Sequence, residues 1–173
     1  MTPYDALQLF AKTLGNLEKW MDKAAESAKD RSFDVDVLAQ ARLAPDQFTF
    51  AQQVQAGCDQ AKYAAAYFGN KPAPSHPDTE TTFAELRERI AKCAAFLATV
   101  QEKDCAGAEQ RKVAPTWLEG RWMRGSDYLA QVAVPNFFFH VTTAYAILRH
   151  NGVQLGKPDF IGGMTTHDAN EPA

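Results

Sequence analysis

Near the N-terminus, apolar residues fall at Leu7, Phe10, Leu14, Leu17, Met21 and Ala24. This three-four spacing over about five turns marks an α-helix that buries one face. Thr2-Pro3-Tyr4-Asp5 opens it with a threonine cap, a proline in the first turn and an early acid, all of which favour a helix start. Between Lys29 and Pro45 the period breaks, and Phe33, Val35, Val37 and Leu38 predict a short helical turn under the bundle. A second helix starts at Thr49-Phe50-Ala51-Gln52, where hydroxyl and amide can each satisfy an orphan backbone N–H. Its buried stripe is Val54, Cys58, Ala61, Ala65 and Phe68, and Gly69-Asn70 ends it. These side chains are small, so a neighbouring helix can come close. Pro72, Pro74 and Pro77 then hold an extended loop. A third helix begins at Thr82-Phe83-Ala84-Glu85 and carries Leu86, Ile90, Ala94 and Leu97 beside Phe83 on one face.

From Asp104 to Gly125 no helical period survives. Thr116-Trp117-Leu118 and Arg121-Trp122-Met123 flank Glu119-Gly120, which predicts a small hairpin. The last helix runs from about Ser126 to His150, with a kink or restart expected at Pro135. Beyond the proline two apolar stripes coexist, one of Val134, Phe138, Val141, Tyr145 and Leu148, the other of Phe137, Ala144 and Ile147 together with His140. A helix apolar on two sides is central in its bundle or sits at a subunit interface. The fold class is therefore all-α, a four-helix bundle over residues 1–161, followed by a polar tail at 162–173.

Composition narrows the function classes. The 173 residues are 46% hydrophobic and 23% charged, with 18 basic and 21 acidic residues and a net charge of −3. No basic stripe marks a nucleic-acid partner, and no apolar run nears the ~20 residues that span a bilayer. The first residues lack the basic and apolar blocks of a secretion signal, so a cytoplasmic protein is expected. Cys58, Cys93 and Cys105 are odd in number and lack CxxC spacing, which argues against a disulfide framework or a thiolate zinc site.

Candidate chemistry starts with His140, as a metal ligand or general base, or as a buried neutral imidazole held by hydroxyl or carbonyl partners. Gln55 at the core edge could reach it, but two neutral ligands are thin for zinc. Asp59 reads as a solvent-facing carboxylate paired with Lys62 at i,i+3. His150 suits the helix C-terminus, while His76 and His167 read as solvated. Cys105 lies in a loop open to reagents, without an evident base. Arg111, Lys112, Arg121 and Arg124 around Trp117 and Trp122 could hold an anion, or neutralise Glu109, Glu119 and Asp127 on a solvated surface.

Pro135-Asn136-Phe137-Phe138-Phe139-His140, followed by Ala144-Tyr145-Ala146-Ile147-Leu148-Arg149-His150-Asn151-Gly152-Val153, resembles the signature of the uncharacterised DUF1993 family. Gln53-Val54-Gln55, Asp59 and Gly156-Lys157 resemble it too. That family is similar to the DinB/YfiT-like superfamily, whose four-helix bundles often dimerise and often hold a divalent metal with three histidines. One histidine comes from the second helix and two from an HxxxH pair on the last. The resemblance places His140 at the first position of the pair, Ala144 at the second, and about Gln55 on the second helix. It thus implies a degenerate metal site, no cofactor, a homodimer, and a small-ligand pocket built from His140, Gln55, Asp59, Phe137 and Tyr145. The rival reading is a transferase or hydrolase that uses zinc, nickel or a thiol, with His140 as ligand or base and Asp59 or Asp104 completing the site. A third is an interaction module with Phe137–Phe139 as its surface.

Overall fold

A computed structural model describes residues 1–168. Four long helices form the bundle: α1 (Pro3–Asp30), α2 (Phe50–Gly69), α3 (Phe83–Ala98) and α5 (Val134–His150). Each of the first three starts at the threonine its sequence predicts. The Thr2, Thr49 and Thr82 hydroxyls accept from the backbone N–H of Asp5, Gln52 and Glu85, whose side chains accept in return from the threonine N–H. Two donors that would otherwise be orphaned are satisfied at each start. At the other end of α2, Asn70 takes the left-handed conformation (φ 50°) that closes the helix.

α2 packs mainly on α3 and α5. A Cβ added at Gly57 would stand 3.3 Å from Val141 Cγ2, so the small residues of α2 do bring α5 close. The core joins Phe10, Leu14 and Trp20 of α1 to Val54 and Phe68 of α2, Leu86 and Ile90 of α3, and Phe137, Ala144 and Ile147 of α5. Val35–Gln40 forms the expected short turn, a 3-10 helix that buries Leu38.

Three features differ from the sequence-based expectation. The hairpin exists, but its strands are β1 (Lys112–Val113) and β2 (Met123–Arg124), antiparallel, with Val113 opposite Met123. Thr116–Leu118 is a 3-10 turn in the connection, and Glu119 and Gly120 take positive φ, so the X-Gly pair turns the chain without being flanked by paired strands. The expected kink at Pro135 is a change of pitch. A short α4 (Gly125–Tyr128) runs into a π-helical turn at Leu129–Ala133 and then into α5. Proline has no N–H for the ordinary i→i−4 bond, and the wider turn before it absorbs that loss. Beyond Gly156 the chain forms α6 (Lys157–Ile161) and docks on α1. There Trp20 Nε1 donates to the Asp159 carbonyl at 2.9 Å, Asn16 Nδ2 donates to the Phe160 carbonyl at 3.1 Å, and Lys23 pairs with Asp159 at 2.7 Å. The expected tail ends at 169–173, which lie outside the described residues.

No helix among the described residues is long and apolar enough to cross a membrane.

Candidate functional site

His140 projects from the buried face of α5 onto α2. Its Nδ1 lies 2.8 Å from Gln53 Oε1. An amide oxygen only accepts, so the ring proton sits on Nδ1 and the lone pair on Nε2. Phe48 stacks on the ring at 6.3 Å and Phe139 meets it edge-on at 5.2 Å. Burial among these groups pulls the His140 pKa below its ordinary value. This is the neutral, amide-partnered imidazole, and its partner is Gln53 where Gln55 was expected. Residues 53 and 55 differ by about 200° around a helix, so they face opposite ways.

The expected ligand set does not assemble. Phe137 is fully buried with its ring 4.2 Å from Phe10, inside the core and away from any opening. Tyr145 packs edge-on against Trp20 and Phe160, beneath α6. Of the Phe137–Phe139 run only Phe139 is broadly exposed.

Asp59 directly, and Gln55 through Glu80, instead meet a residue that sequence reasoning missed, Arg89 of α3. Its side chain has 0% exposure. Nη2 donates to Asp59 Oδ1 at 2.6 Å and to Asp78 Oδ1 at 3.0 Å, while Nη1 reaches Glu80 Oε1 at 3.1 Å and the Pro77 carbonyl at 3.2 Å. Gln55 Nε2 holds the other Glu80 oxygen at 3.1 Å. Lys62, 2% exposed, donates to the same Asp59 Oδ1 at 2.7 Å. A buried cation is costly unless paired and hydrogen-bonded, and here two share three carboxylates. Burial pulls the guanidinium pKa down, but Asp59 and Glu80 more than offset it and hold Arg89 above its usual range.

Asp59 is thus the hub of a partly buried network and no ordinary surface carboxylate. Arg89 also fixes the proline loop through Pro77, Asp78 and Glu80. A signal for it exists in the sequence. Arg89 lies three residues after Leu86 and four before Cys93, on the apolar stripe of α3, and Lys62 is likewise four after Cys58 and three before Ala65 on α2. A cation in phase with a core stripe needs buried anions.

Above the network lies a cleft of about 480 Å³, lined by Phe48, Gln52, Gln55, Asp59, Tyr63 and Glu80 among others. Its size is that of a small-molecule site.

The remaining candidates have structural roles. Cys105 is buried, and burial raises its thiol pKa, so it is not the accessible loop thiol expected. Cys58 and Cys93 are buried against each other. Cys93 Sγ lies 3.2 Å from the Cys58 carbonyl, and the hydrogen bond with Cys93, followed by burial, drives the Cys58 pKa far up. Asp104 accepts the Gln101 N–H at 2.9 Å and pairs with Lys71. Arg111 donates to the Tyr67 and Phe68 carbonyls at 3.0 and 2.6 Å, so it caps the C-terminus of α2 and, among the described residues, pairs with none of its acidic neighbours. His76 is not simply solvated, since its Nδ1 is buried and finds no partner among the described residues.

The fit to a three-histidine metal centre fails at the donor set. His140 keeps a lone pair on Nε2, as a ligating imidazole would, but Ala144 stands where a second histidine would and Gln55 is turned to Glu80. Among the described residues no group of three or more His, Cys, Asp or Glu side chains could hold a metal ion.

A solved structure, a DinB family member protein from Shewanella denitrificans, is similar to this chain at 42% identity. It superposes with a TM-score of 0.91 over 95% of this chain and 94% of its own. No protein of curated function matches. The profile of a family described as a domain of unknown function (DUF1993) matches residues 4–161, and the chain belongs to that family.

Proposed function

We propose that the protein binds a small organic molecule in the cleft over Asp59 and does so without a metal ion. One observation carries this reading. The chain buries Arg89 and Lys62 and commits Asp59, Asp78 and Glu80 to them along one side of the cleft, with Gln55 holding Glu80 in turn. A rigid polar wall beside exposed aromatic rings is the make-up of a ligand site. Three buried, unpaired thiols suit a reducing, cytoplasmic compartment.

Soaking crystals with a library of polar fragments tests the reading. Fragments are expected in the cleft against Asp59 or Gln55, with chelator-treated protein binding them equally well. Stoichiometric zinc or nickel in purified protein, lost in His140→Ala, would overturn it in favour of a metal enzyme.

The same proposal includes a homodimer through the patch of Phe48 and Phe139, both at least half exposed and both against the His140 ring. Light scattering is expected to give twice the chain mass, and Phe139→Glu to give the monomer. A monomeric wild-type protein refutes the dimer and leaves the cleft untouched.

A further inference from the structure

Next to the cleft lies a second cavity of about 330 Å³, walled by Tyr63, Tyr67, Tyr128 and Trp117. The two share Gln60 and Tyr63 as a common wall, so they lie side by side along α2, and together they make up a groove. Its two ends differ in chemistry.

At the aromatic end the Tyr67 and Tyr128 rings stand 5.3 Å apart at 80°, a right-angled corner, with Trp117 58% exposed beside them. The polar end offers acceptors. Asp59 takes both of its cations on Oδ1, and Asp78 takes Arg89 on Oδ1 alone, so among the described residues neither Oδ2 has a donor. The cations themselves, Arg89 and Lys62, are buried beneath the wall. Arg42, the one cation among the described residues that lines the groove, borders the first cavity alone and donates to the Pro45 carbonyl. A molecule in the groove therefore touches carboxylate oxygens, and Lys62 lies behind the Tyr63 ring, its Nζ 4.7 Å from the ring centroid.

Helix geometry sets the spacing. Asp59, Tyr63 and Tyr67 form an i,i+4 row on α2, so successive members are about 6 Å apart along the axis.

We propose that this groove binds an aralkylamine, a primary ammonium two or three bonds from an aromatic ring. The ammonium donates to Asp59 Oδ2 and Asp78 Oδ2, and the ring enters the corner of Tyr67, Tyr128 and Trp117. The proposal rests on the cleft being a ligand site and adds the class of ligand. Aromatic walls favour the apolar body by ring–ring contact and the cation by their negative faces. The open carboxylate oxygens select the ammonium over a hydroxyl, because a hydrogen bond to a charged partner is worth about twice a neutral one.

Calorimetry on the full chain with three probes tests this: 2-phenylethylamine, 2-phenylethanol and 3-phenylpropionate. The amine is expected to bind saturably, the alcohol about tenfold more weakly, and the carboxylate not at all. Trp117→Ala and Tyr67→Ala should each weaken the amine about fivefold or more. Asp78→Asn, at an exposed position, should weaken it while the protein stays folded, and His140→Ala should leave it unchanged. Equal affinity for amine and alcohol overturns the amine class and leaves the cleft reading standing. No binding of any probe, or amine binding indifferent to Trp117, Tyr67 and Asp78, overturns the proposal. Fragment occupancy then decides the cleft reading separately.

Discussion

Replacing Arg89 by methionine keeps an unbranched stem but ends it two atoms short and deletes its charge. Contacts to Asp59, Asp78, Glu80 and the Pro77 carbonyl are lost together. Removing one partner of a fully buried pair costs about 3–5 kcal/mol, chiefly because the other charge is left unpaired. Here the orphaning is incomplete. Asp59 keeps Lys62, Glu80 keeps Gln55, and both carboxylates border the cleft, where water can reach them. The low end applies, about 3 kcal/mol. In a chain of this size each kcal/mol moves Tm by about 2–4 °C, so the expected drop is about 6–12 °C. Arg89→Lys keeps the charge, but a single ammonium cannot span Asp59 and Glu80 as the fork does, and about 2 kcal/mol should be lost. Thermal melts and urea titrations at pH 7.5 give both values. Hydrogen exchange should quicken selectively in residues 75–81, which Arg89 tethers. An Arg89→Met protein within about 1 kcal/mol of wild type, with unchanged exchange in that loop, would refute the idea that this network holds the site together.

Acidification should destabilise the protein before its carboxylates titrate. Burial lowers the His140 pKa, so below the ordinary imidazole value near 6.5 the unfolded chain binds a proton that the folded one refuses, and stability falls with pH. Urea melts at pH 7.5 and 5.5 should show a loss that shrinks in His140→Gln, and an unchanged loss in that variant would assign the effect elsewhere. Gly125→Ala should be far worse than a usual glycine replacement. Its Cβ would fall 1.8 Å from the Ala108 carbonyl oxygen, and displacing that backbone costs ~3 kcal/mol or more, readable as a lower urea midpoint. Thiol reagent at neutral pH should label native protein slowly at all three cysteines and quickly only after denaturation. Fast native labelling of Cys105 would revive it as a nucleophile.

Helix starts were legible in the sequence because capping is settled within four residues: Thr2, Thr49 and Thr82 each carry their partner three positions on. The bundle followed from the apolar stripes and from the family signature around His140. The site was harder for two physical reasons. Choosing between Gln53 and Gln55 needs the rotational phase of α2 against α5, which close packing at Gly57 sets and no local pattern reveals. Arg89 is the other case. Its partners Asp59, Asp78 and Glu80 come from another helix and a loop, and a stability argument about a lone arginine gives no hint of which acids will surround it. The stripe on α3 did mark it as buried, and that mark is readable wherever a charged residue keeps time with leucine and cysteine. The hairpin slipped for a similar reason: Glu119-Gly120 specified a bend, but which residues pair was decided by Val113 finding the core.

The wide turn at Leu129–Ala133 gives the chain leading into α5 one residue more than an unbroken helix would need to reach the same place. Deleting that extra residue would keep the rotational phase of the helix beyond, but it would also seat Pro135 in plain helix, where its ring meets the carbonyl four residues back. Shortening the chain by one residue at Ala130 would turn that stretch into plain helix and keep His140 opposite Gln53, whereas the same deletion after Pro135 would swing the imidazole through about 100°. A related chain that lacks the wide turn should therefore lack the proline as well.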